Sequence, residues 1–474
     1  MLNSVLQALA VLALSGLALY GLLGLFTLFL YWRHRAEASG VPFPAEDQLP
    51  PVTVQLPIYN ERYVVDRLLE ATAALRYPRD RLQIQVLDDS EDDTTLHLAR
   101  LVSRYRAQGL RVELRHRARR DGYKAGALSA GLQAATGDLI AIFDADFAPQ
   151  PDFLLQTVPH FLDAPELGLV QTRWGHLNAS ESALTAAQAL ALDKHFAVEQ
   201  TVRFRADLFP KFNGTAGVWR RACLEDAGGW HSDTVCEDLC LSTRAVLRGW
   251  RCRYLPDVVA PAELPGGITA YKNQQARWAK GSTQCLLKFG RQILRSSGHR
   301  PFARLYALLT MAAYSTSILL ILLLLLQIPL ALLNVELPSS LALLGVAGLG
   351  QPLLFVLGQR MLHRDWKRRL RYLPALLFIA IGLSPTIMRA VLQGLFQHRH
   401  NFVRTPKRGD RGQATCYRLP FDRILYYELF LTLYAILAAG IALWRDATGA
   451  LPFLTSCAIG FGIVAHDTLR ERMR

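Results

Sequence analysis

Apolar residues concentrate towards the two ends of the chain, and a long stretch of mixed composition lies between them. Residues 4–31 carry no charged side chain, and several further apolar runs follow residue 305. About 20 apolar residues are enough to cross a bilayer as a helix, so the first run is long enough to span. It also exceeds the roughly 7–15 apolar residues of a signal peptide. The pattern predicts a membrane protein with a soluble domain after its first span.

The C-terminal half contains further predicted spans, at 305–333, 341–357, 424–443 and 451–464. With the first run they give five crossings. Segment 373–396 is different, because basic residues flank it on both sides and Ser384-Pro385 interrupts its middle. Proline breaks or kinks a helix, and basic flanks favour the cytoplasmic side. We predict a re-entrant or interfacial helix pair here, with a sixth crossing as the alternative.

The middle of the chain alternates short apolar runs with amphipathic stretches. Strands are predicted at 52–56, 82–87, 112–115 and 139–143, and the helices that follow them at 64–75, 94–108, 125–135 and 152–162. This alternation predicts a parallel, doubly wound α/β sheet, in which ligands bind beyond the carboxyl ends of the strands. No GxGxxG run follows the first strand, which disfavours a dinucleotide-binding domain.

Basic residues beside the apolar runs contribute much of the net charge of +14. Arg33, His34 and Arg35 directly follow the first run, so the positive-inside rule predicts an outside N-terminus and a cytoplasmic middle domain. We therefore expect a multi-pass protein of the cell (inner) membrane that contacts anionic lipids and does not bind nucleic acid. Seven cysteines without a CxxC pair predict neither a disulfide framework nor a zinc site.

Two aspartates, Asp144 and Asp146, end the fourth predicted strand and are two residues apart. Side chains at this spacing can project to the same side of a strand. Two hard carboxylate oxygens suit Mg²⁺ or Mn²⁺ held together with a diphosphate. The pair is therefore the candidate metal site.

Polar residues also follow the first two predicted strands. Tyr59 and Glu61 come after the first, Asp88 and Asp89 end the second, and Lys124 opens a helix within a GYKAG run. Because the strand ends share one edge, we expect these side chains near the aspartate pair. Asp88 and Asp89 are interpreted as contacts to a nucleotide base or ribose, with loop carboxylates or helix caps as the alternative.

Glu237 and Asp238 start another predicted helix. Adjacent helical residues point about 100° apart, so we expect one of the two carboxylates to enter the site. We assign Asp238 as the candidate general base that accepts a hydroxyl proton. The alternative role, complementing the helix dipole, describes Glu237 well.

Gln274, Arg277 and Trp278 occupy positions i, i+3 and i+4 of a helical stretch and therefore share one face. Arg277 suits phosphate oxygens, and Trp278 offers a flat apolar surface to a sugar ring. An amphipathic interfacial helix anchored by tryptophan is compatible with the same pattern.

Taken in order, these motifs resemble a family 2 glycosyltransferase with a GT-A catalytic domain. The resemblance covers nearly everything from residue 51 to 409 and rests on DD at 88–89, DAD at 144–146, ED at 237–238 and QQARW at 274–278. The runs VLDDS, GYKAGAL, IFDADF, HFAVEQ, FNGTAGVWR and FVRTPK are similar to those of plant cellulose-synthase-like A and C proteins. That group makes mannan, glucomannan or a xyloglucan-backbone glucan.

The resemblance implies an inverting transfer of a hexose from UDP-glucose or GDP-mannose. Asp238 is then the base, the aspartate pair holds the metal, and Arg277 and Trp278 lie at the diphosphate and the acceptor sugar. The FVRTPK run resembles a gating loop, which makes Thr405 and Lys407 candidate contacts to the nucleotide sugar. The same resemblance assigns further residues to the acceptor: Asn213, Gly214, Thr215, Glu237 and Gln274.

The sequence thus predicts three regions: a membrane helix at 1–35, a GT-A domain at 50–290 and a membrane region at 303–474. The last region includes segment 373–396 and the gating-like loop 398–415. The leading hypothesis is a processive β-glycan synthase that passes its product across the membrane. The main alternative is a non-processive glycolipid synthase similar to ceramide or diacylglycerol glucosyltransferases. A membrane transporter or a non-catalytic subunit of a polysaccharide exporter is disfavoured, because either would leave the metal, base and phosphate candidates without a role.

Overall fold

One mixed sheet forms the centre of the middle domain. The computed structural model describes residues 1–35, 45–397, 407, 409 and 421–473. The strands of the sheet are β1 Val52–Ile58, β2 Leu82–Asp88, β3 Val112–His116, β4 Leu139–Ile142, β5 Leu167–His176, β6 Gly217–Arg220 and β7 Arg251–Ala262.

The strand order is β3-β2-β1-β4-β6-β5-β7. The four strands predicted from the sequence pair in parallel, as expected. The prediction of a wholly parallel sheet is wrong, because β6 inserts between β4 and β5 and runs antiparallel to both. The chain makes several helical turns between β5 and β6, and it returns to the sheet from the opposite direction. The α/β class and the doubly wound first half are confirmed.

Helices cover both faces of the sheet and extend through the rest of the chain. Those of the described residues are α1 Leu2–His34, α2 Val65–Ala73, α3 Thr94–Ala107, α4 Tyr123–Gln133, α5 Phe153–Thr157, α6 Ala183–Lys194, α7 Thr201–Arg205, α8 Arg221–Asp226, α9 Glu237–Leu247, α10 Ile268–Arg295, α11 Pro301–Met311, α12 Thr316–Leu332, α13 Leu344–Ala347, α14 Gly350–Leu362, α15 Trp366–Arg369, α16 Leu373–Gly382, α17 Ser384–Phe396, α18 Ile424–Trp444 and α19 Leu451–Met473. A π-helix, His195–Gln200, joins α6 to α7.

All seven residues of β2 are buried, because apolar side chains pack on both faces of the sheet. One cluster joins β1 and β2 to α2 and α3, and the other joins β4 to α4 and α9. Buried polar side chains within the sheet bond to each other. Gln55 Nε2 donates to Gln85 Oε1 at 3.0 Å, and Thr53 Oγ1 donates to Gln83 Oε1 at 2.8 Å. Pairing of this kind removes most of the cost of burying polar groups.

Within the part of the chain that the structure describes, five helical segments are long and apolar enough to cross a membrane: Leu2–His34, Ala313–Leu332, Ser339–Leu362, Ile424–Trp444 and Thr448–Met473. The predicted span at 305–333 is not one helix, because α11 ends at Met311 and a 3-10 turn precedes α12. Helix α11 instead packs beside the middle domain through Tyr306 and Met311.

Segment 373–396 forms two helices, α16 and α17, within a pair bent by 46°. Pro385 lies in the first turn of α17, where its missing N–H removes no intrahelical hydrogen bond. The interruption at Ser384-Pro385 therefore separates two helices. Whether the pair crosses the membrane or re-enters stays a prediction.

Helices α18 and α19 contact helix α10, which carries the QQARW run. Glu471 on α19 accepts hydrogen bonds from the backbone N–H groups of Ile268 and Thr269 at the start of α10. One turn further, Lys272 Nζ lies 2.6 Å from Glu428 Oε1 on α18, and both side chains are buried. These contacts fix the position of α10 relative to the C-terminal helices.

Candidate active site

A cavity of 210 Å³, the sheet-edge cavity, lies beyond the carboxyl ends of β1, β2 and β4. The starts of α4 and α9 and part of α10 close its other sides. The predicted residues in its lining are Tyr59, Glu61, Asp89, Lys124, Asp144, Asp146, Asn213, Gly214, Glu237, Asp238, Gln274, Arg277, Trp278 and Lys407. Asp88 and Thr215 do not line it, and Thr405 lies outside the described residues.

The two aspartates of the DAD run each face a lysine. Lys124 Nζ lies 2.6 Å from Asp144 Oδ1, and Lys407 Nζ lies 2.7 Å from Asp146 Oδ2. Burial raises the pKa of Asp144, and the ammonium of Lys124 opposes this shift. Burial alone would lower the pKa of Lys124, but the charges of Asp144 and Glu237 raise it above its ordinary value. Three carboxylates and two ammonium groups are thus held close together in a confined space.

The donor set of the aspartate pair fits a divalent cation. Each carboxylate directs one oxygen at a lysine, and both carboxylates line the same cavity. Hard carboxylate oxygens are the ligands that Mg²⁺ and Mn²⁺ prefer, with further positions filled by substrate oxygens and water. Asp144 and Asp146 are therefore the residues that would hold such an ion.

Glu237 and Asp238 occupy the first turn of α9, after Cys236. The expectation that a single carboxylate enters the site is wrong, because both line the sheet-edge cavity. The N-terminal end of the helix faces the cavity, so the 100° between neighbouring positions turns neither side chain away. Burial raises the pKa of Asp238 above the ordinary aspartate value, and the charge of Glu237 adds to the shift. A raised pKa suits a carboxylate that accepts a proton near neutral pH.

Position 214, where the backbone passes close to Asp238, requires glycine. Its φ is +87°, a region that favours glycine. A Cβ atom at this position would lie 3.1 Å from Asp238 Oδ2 and 3.5 Å from Lys124 Nζ. Lys124 Nζ also donates to the Gly214 carbonyl at 2.9 Å. The backbone at Gly214 therefore forms part of the wall beside the candidate base.

Asp88 and Asp89 have different surroundings. Asp88 is fully buried and accepts from Thr95 Oγ1 at 2.6 Å and from His116 Nδ1 at 2.9 Å. The interpretation of Asp88 as a nucleotide contact is wrong, because its side chain ties β2 to α3 and β3. Asp89 lines the sheet-edge cavity, where Arg117 binds both of its oxygens at 2.6 and 2.7 Å. A role for Asp89 in ligand binding stays a prediction.

Tyr59 forms one end of the cavity together with Arg120, a residue that the sequence analysis missed. The Arg120 guanidinium lies 3.3 Å from the centroid of the Tyr59 ring. Stacking of this kind holds a cation and an aromatic face in fixed positions. No local sequence signal marks Arg120, which belongs to the basic run RARR at 117–120.

Thr215 and Asn213 belong to the FNGT run but have separate roles. Thr215 is buried, and its Oγ1 accepts from the backbone N–H of Asp144 at 2.9 Å. The assignment of Thr215 to the acceptor is wrong, since it positions the strand end that carries the aspartate pair. Asn213 lines the cavity, and its Nδ2 donates to His195 Nε2 at 3.0 Å.

A second cavity of 640 Å³, the helix-lined cavity, continues from the first towards the membrane helices. The two share six lining residues: Trp174, Asn213, Cys236, Asp238, Gln274 and Trp278. Beyond them the lining passes to α1, through Tyr20 and Gly24, and to α14, through Gln351. A continuous path therefore leads from Asp238 to helices that could span a membrane.

Titratable side chains of the π-helix, of the last residue of α6 and of Lys211 line this second cavity. His195 Nδ1 donates to Glu199 Oε2 at 3.0 Å, and Lys194 Nζ lies 2.6 Å from Glu199 Oε1. Lys211 also lines the cavity, and burial lowers its pKa to about 7. These residues have no assigned role in the sequence analysis. The HFAVEQ run contains two of them, and the π-helix geometry, frequent at functional sites, appears only in the structure.

The fold and the site together define a class of protein. A mixed Rossmann-like sheet with a carboxylate pair at its edge is a GT-A fold, and apolar helices long enough to span a membrane are joined to it. The mannosyltransferase PcManGT from Pyrobaculum calidifontis, solved in complex with GDP-Man and Mn²⁺, shares this fold with a TM-score of 0.56. It is 22% identical, and the match covers 82% of this chain and 99% of that one.

The family model described as glycosyltransferase like family 2 matches residues 50–281. This part of the chain is a glycosyltransferase family 2 domain, which confirms the predicted resemblance. A relative in Oryza sativa subsp. japonica, probable glucomannan 4-beta-mannosyltransferase 3, is 44% identical over 262 residues. Glucomannan 4-beta-mannosyltransferase 2 of Arabidopsis thaliana is 41% identical over 263 residues.

These two matches cover 54% and 55% of this chain, and 46% and 49% of the relatives. The chain thus spans about half the length of the curated relatives it matches. The matched length agrees closely with that of the family 2 domain.

Proposed function

We propose that the protein is a membrane-bound, metal-dependent, inverting glycosyltransferase that transfers mannose from GDP-mannose to a growing β-glycan. UDP-glucose is the alternative donor. The observation that carries the proposal is the meeting of two cavities at Asp238, one lined by the aspartate pair and the other leading to the membrane helices. The choice of mannose rests on the names of relatives that are 41–44% identical.

The sheet-edge cavity takes the nucleotide diphosphate of the donor. A divalent cation held by Asp144 and Asp146 would neutralise charge on the leaving diphosphate. Lys124, Lys407 and Arg277 supply positive charge around the same space. Because the two lysines already face carboxylates, the cation and the phosphates can take over these contacts without leaving a charge unpaired.

Asp238 acts as the general base. The acceptor hydroxyl gives its proton to the Asp238 carboxylate while its oxygen forms a bond to the anomeric carbon. The bond from that carbon to the diphosphate oxygen breaks, and the nucleoside diphosphate leaves with the electron pair. Attack from the face opposite the leaving group inverts the anomeric centre. The raised pKa of Asp238, caused by burial and by Glu237, supports this role.

The helix-lined cavity takes the acceptor. Trp278 and Trp174 provide flat surfaces where the two cavities join, and polar side chains such as Gln188, His195 and Gln351 lie among apolar ones in the continuation. A hydroxyl-rich chain can exchange its hydrogen bonds with water for bonds to such side chains, whereas an acyl chain cannot. The aromatic and polar side chains can therefore take a glycan acceptor, and the continuation towards α1 and α14 is the path that we propose for processive extension with translocation.

The membrane placement follows from charge. Arg33 and Arg35 close the C-terminal end of the first candidate span, and Arg470 and Arg472 close that of the last. The positive-inside rule places these ends, and the domain between them, in the cytoplasm of a cell whose inner membrane holds the helices. The nucleotide sugar then reaches the sheet-edge cavity from the cytosol.

A lipid acceptor is the second candidate. Leu17, Gly21 and Leu23 of α1 also line the helix-lined cavity, so an acyl chain could enter between the membrane helices. In that case the enzyme would be a non-processive glycolipid synthase that adds one sugar to a lipid.

Product analysis with the purified protein in nanodiscs tests the proposal. The protein is supplied with Mg²⁺ or Mn²⁺ and with radiolabelled GDP-mannose or UDP-glucose in parallel reactions. We expect a high-molecular-weight, alkali-resistant product from GDP-mannose that an endo-β-mannanase degrades. A short, organic-soluble product that requires added lipid would overturn the polymer assignment. Incorporation of sugar from UDP-glucose alone would overturn the assignment of GDP-mannose as the donor.

A further inference from the structure

A third cavity of 380 Å³, the arginine cavity, lies on the other side of α6 from the helix-lined cavity. Its walls are the end of β5, the outer face of α6 and the segment from α15 to Tyr372. None of the residues of the aspartate pair, the candidate base or the QQARW run belongs to this lining. The cavity is therefore separate from the candidate active site.

Positive charge exceeds negative charge in this lining. Arg368, Arg369 and Arg371 line the cavity together with one carboxylate, Asp365. Arg369 Nε donates to Asp365 Oδ1 at 2.9 Å, so this pair is neutral. Arg371 Nη2 donates to the neutral Tyr372 hydroxyl at 2.7 Å, and Arg368 has no ion pair among the described residues. Two guanidinium charges are left for a ligand.

A buried histidine completes the cavity. The His176 side chain is 7% exposed, and its Nε2 donates to Asp193 Oδ1 at 3.1 Å. Asp193 is itself held by His363 Nε2 and Gln359 Nε2, each at 2.8 Å. His176 Nδ1 has no hydrogen-bond partner among the described residues. With Nε2 donating to the carboxylate, Nδ1 carries the lone pair and is buried, so His176 holds Asp193 in place from behind the cavity surface.

The position of the cavity along the chain places it at a membrane surface. The candidate span Ser339–Leu362 ends six residues before Arg368, and the apolar helix α16 begins directly after Tyr372. Basic residues at this depth meet the phosphates of lipid headgroups. Guanidinium groups bind phosphate oxygens through short, charge-assisted hydrogen bonds.

We propose that the arginine cavity binds the phosphate of an anionic phospholipid headgroup, with Arg368 and Arg371 on the phosphate. The proposal rests on the membrane placement but not on the sugar chemistry. Asp193 on α6 directly precedes Lys194 and His195, whose side chains line the helix-lined cavity. An occupied arginine cavity would therefore stabilise one wall of the acceptor path.

The test compares two double variants of the full chain that remove the same charge from the same segment. Arg368→Gln/Arg371→Gln removes the two cavity arginines, whereas the control Arg364→Gln/Lys367→Gln removes two exposed cations that do not line it. Each protein is exchanged between phosphatidylcholine nanodiscs with and without phosphatidylglycerol, and retained lipid is counted by mass spectrometry after detergent extraction. We expect the cavity variant to retain about tenfold less phosphatidylglycerol and the control to match the wild type.

An equal loss in both variants would show that diffuse surface charge retains the lipid, and it would overturn the site. No loss in either variant would overturn it as well. A soluble-ligand arm identifies the source of the phosphate, with glycerol phosphate and inorganic phosphate titrated against the wild type in detergent. If inorganic phosphate displaces phosphatidylglycerol at micromolar concentration, the ligand is a free phosphate and the lipid assignment fails, whereas displacement by glycerol phosphate alone supports recognition of the headgroup. Donor binding, measured on the same samples, reports on the proposed transferase function independently.

Discussion

The sheet-edge cavity and the helix-lined cavity meet at Asp238, but separate ion pairs hold the aspartates of the first, whereas a hydrogen-bonded chain with one ion pair, Lys194–Glu199, holds the side chains of the second. In the sheet-edge cavity each carboxylate of the aspartate pair faces its own lysine, at 2.6 and 2.7 Å. In the helix-lined cavity a chain of hydrogen bonds runs from Glu199 through His195 to Asn213, and the opposite wall is membrane helix α1.

This difference suits two kinds of ligand. Compact, paired charges can be exchanged for a metal ion and a diphosphate, which carry the same charges in another arrangement. A chain of neutral and charged hydrogen-bond partners instead fixes the orientation of one amide, Asn213. Its remaining N–H and oxygen lone pair can bind a sugar hydroxyl, so the second cavity is suited to orienting an acceptor.

The largest loss of activity is expected on substitution of Asp238, because this residue lines both cavities. Asp238→Asn removes the base but keeps the shape, so we predict a loss of roughly 10²–10⁴-fold in kcat. GDP-mannose affinity, measured by calorimetry, should change little. Turnover at a wild-type rate would contradict the assignment of the base.

Asp146→Asn should damage the sheet-edge cavity alone. A bound metal contributes several kcal/mol to transition-state stabilisation, so we predict a loss of about 100-fold or more in kcat/KM for the donor. Mn²⁺ binding to the sugar-free protein, followed by electron paramagnetic resonance, should weaken in parallel. Unchanged Mn²⁺ affinity would contradict the assignment of Asp146 as a metal ligand. Asp226→Asn, in an exposed ion pair with Arg248, is the matched control.

Glu199→Gln should damage the helix-lined cavity alone. The variant weakens the hydrogen bond that fixes His195, and through it Asn213, so we predict a rise of about tenfold in the acceptor KM. The donor KM and the donor hydrolysis rate without acceptor should stay unchanged. Equal effects on donor and acceptor would mean that the two cavities are not separable.

Glu237→Gln should move the pH dependence. The Glu237 charge contributes, after burial, to the raised pKa of Asp238, so removing it lowers that pKa. A general base must be deprotonated, and the rising limb of kcat against pH should therefore shift by roughly half a unit to lower pH. A limb that stays in place would show that another group controls it.

Asp88→Asn should have the smallest effect on transfer, because Asp88 lies behind the cavity. Its bonds to Thr95 and His116 are buried, so we predict a loss of about 1–3 kcal/mol in unfolding free energy. The donor KM should remain within about twofold of the wild type, a range typical of sites without ligand contact. A large rise in the donor KM would show that Asp88 contributes to nucleotide binding.

The contrast between the cavities also explains what could be predicted from the sequence. The sheet-edge cavity follows from local order, because strands ending in aspartates place those side chains at one edge of a parallel sheet. Local order in the sequence does not distinguish the role of Asp88 from that of Asp89. Its partner His116 is 28 residues away, and only the register of β2 with β3 pairs them.

The helix-lined cavity depends on contacts between distant parts of the chain. Tyr20 on α1 and Gln351 on α14 are more than 300 residues apart, yet Gln351 Nε2 donates to the Tyr20 carbonyl. The antiparallel insertion of β6 is another long-range event that local periodicity does not contain. His195 and Glu199 were visible only as the unassigned run HFAVEQ, because their roles come from the π-helix and from its neighbours.

The most direct test of the two-cavity arrangement is a cryo-electron microscopy structure of the protein with GDP, Mn²⁺ and a β-1,4-linked mannohexaose. We predict the metal and the diphosphate against Asp144 and Asp146. The oligosaccharide should begin at Asp238, pass Trp278 and Asn213 and continue between α1 and α14. Oligosaccharide density elsewhere, or an acyl chain filling the helix-lined cavity in its place, would contradict the glycan path from base to membrane.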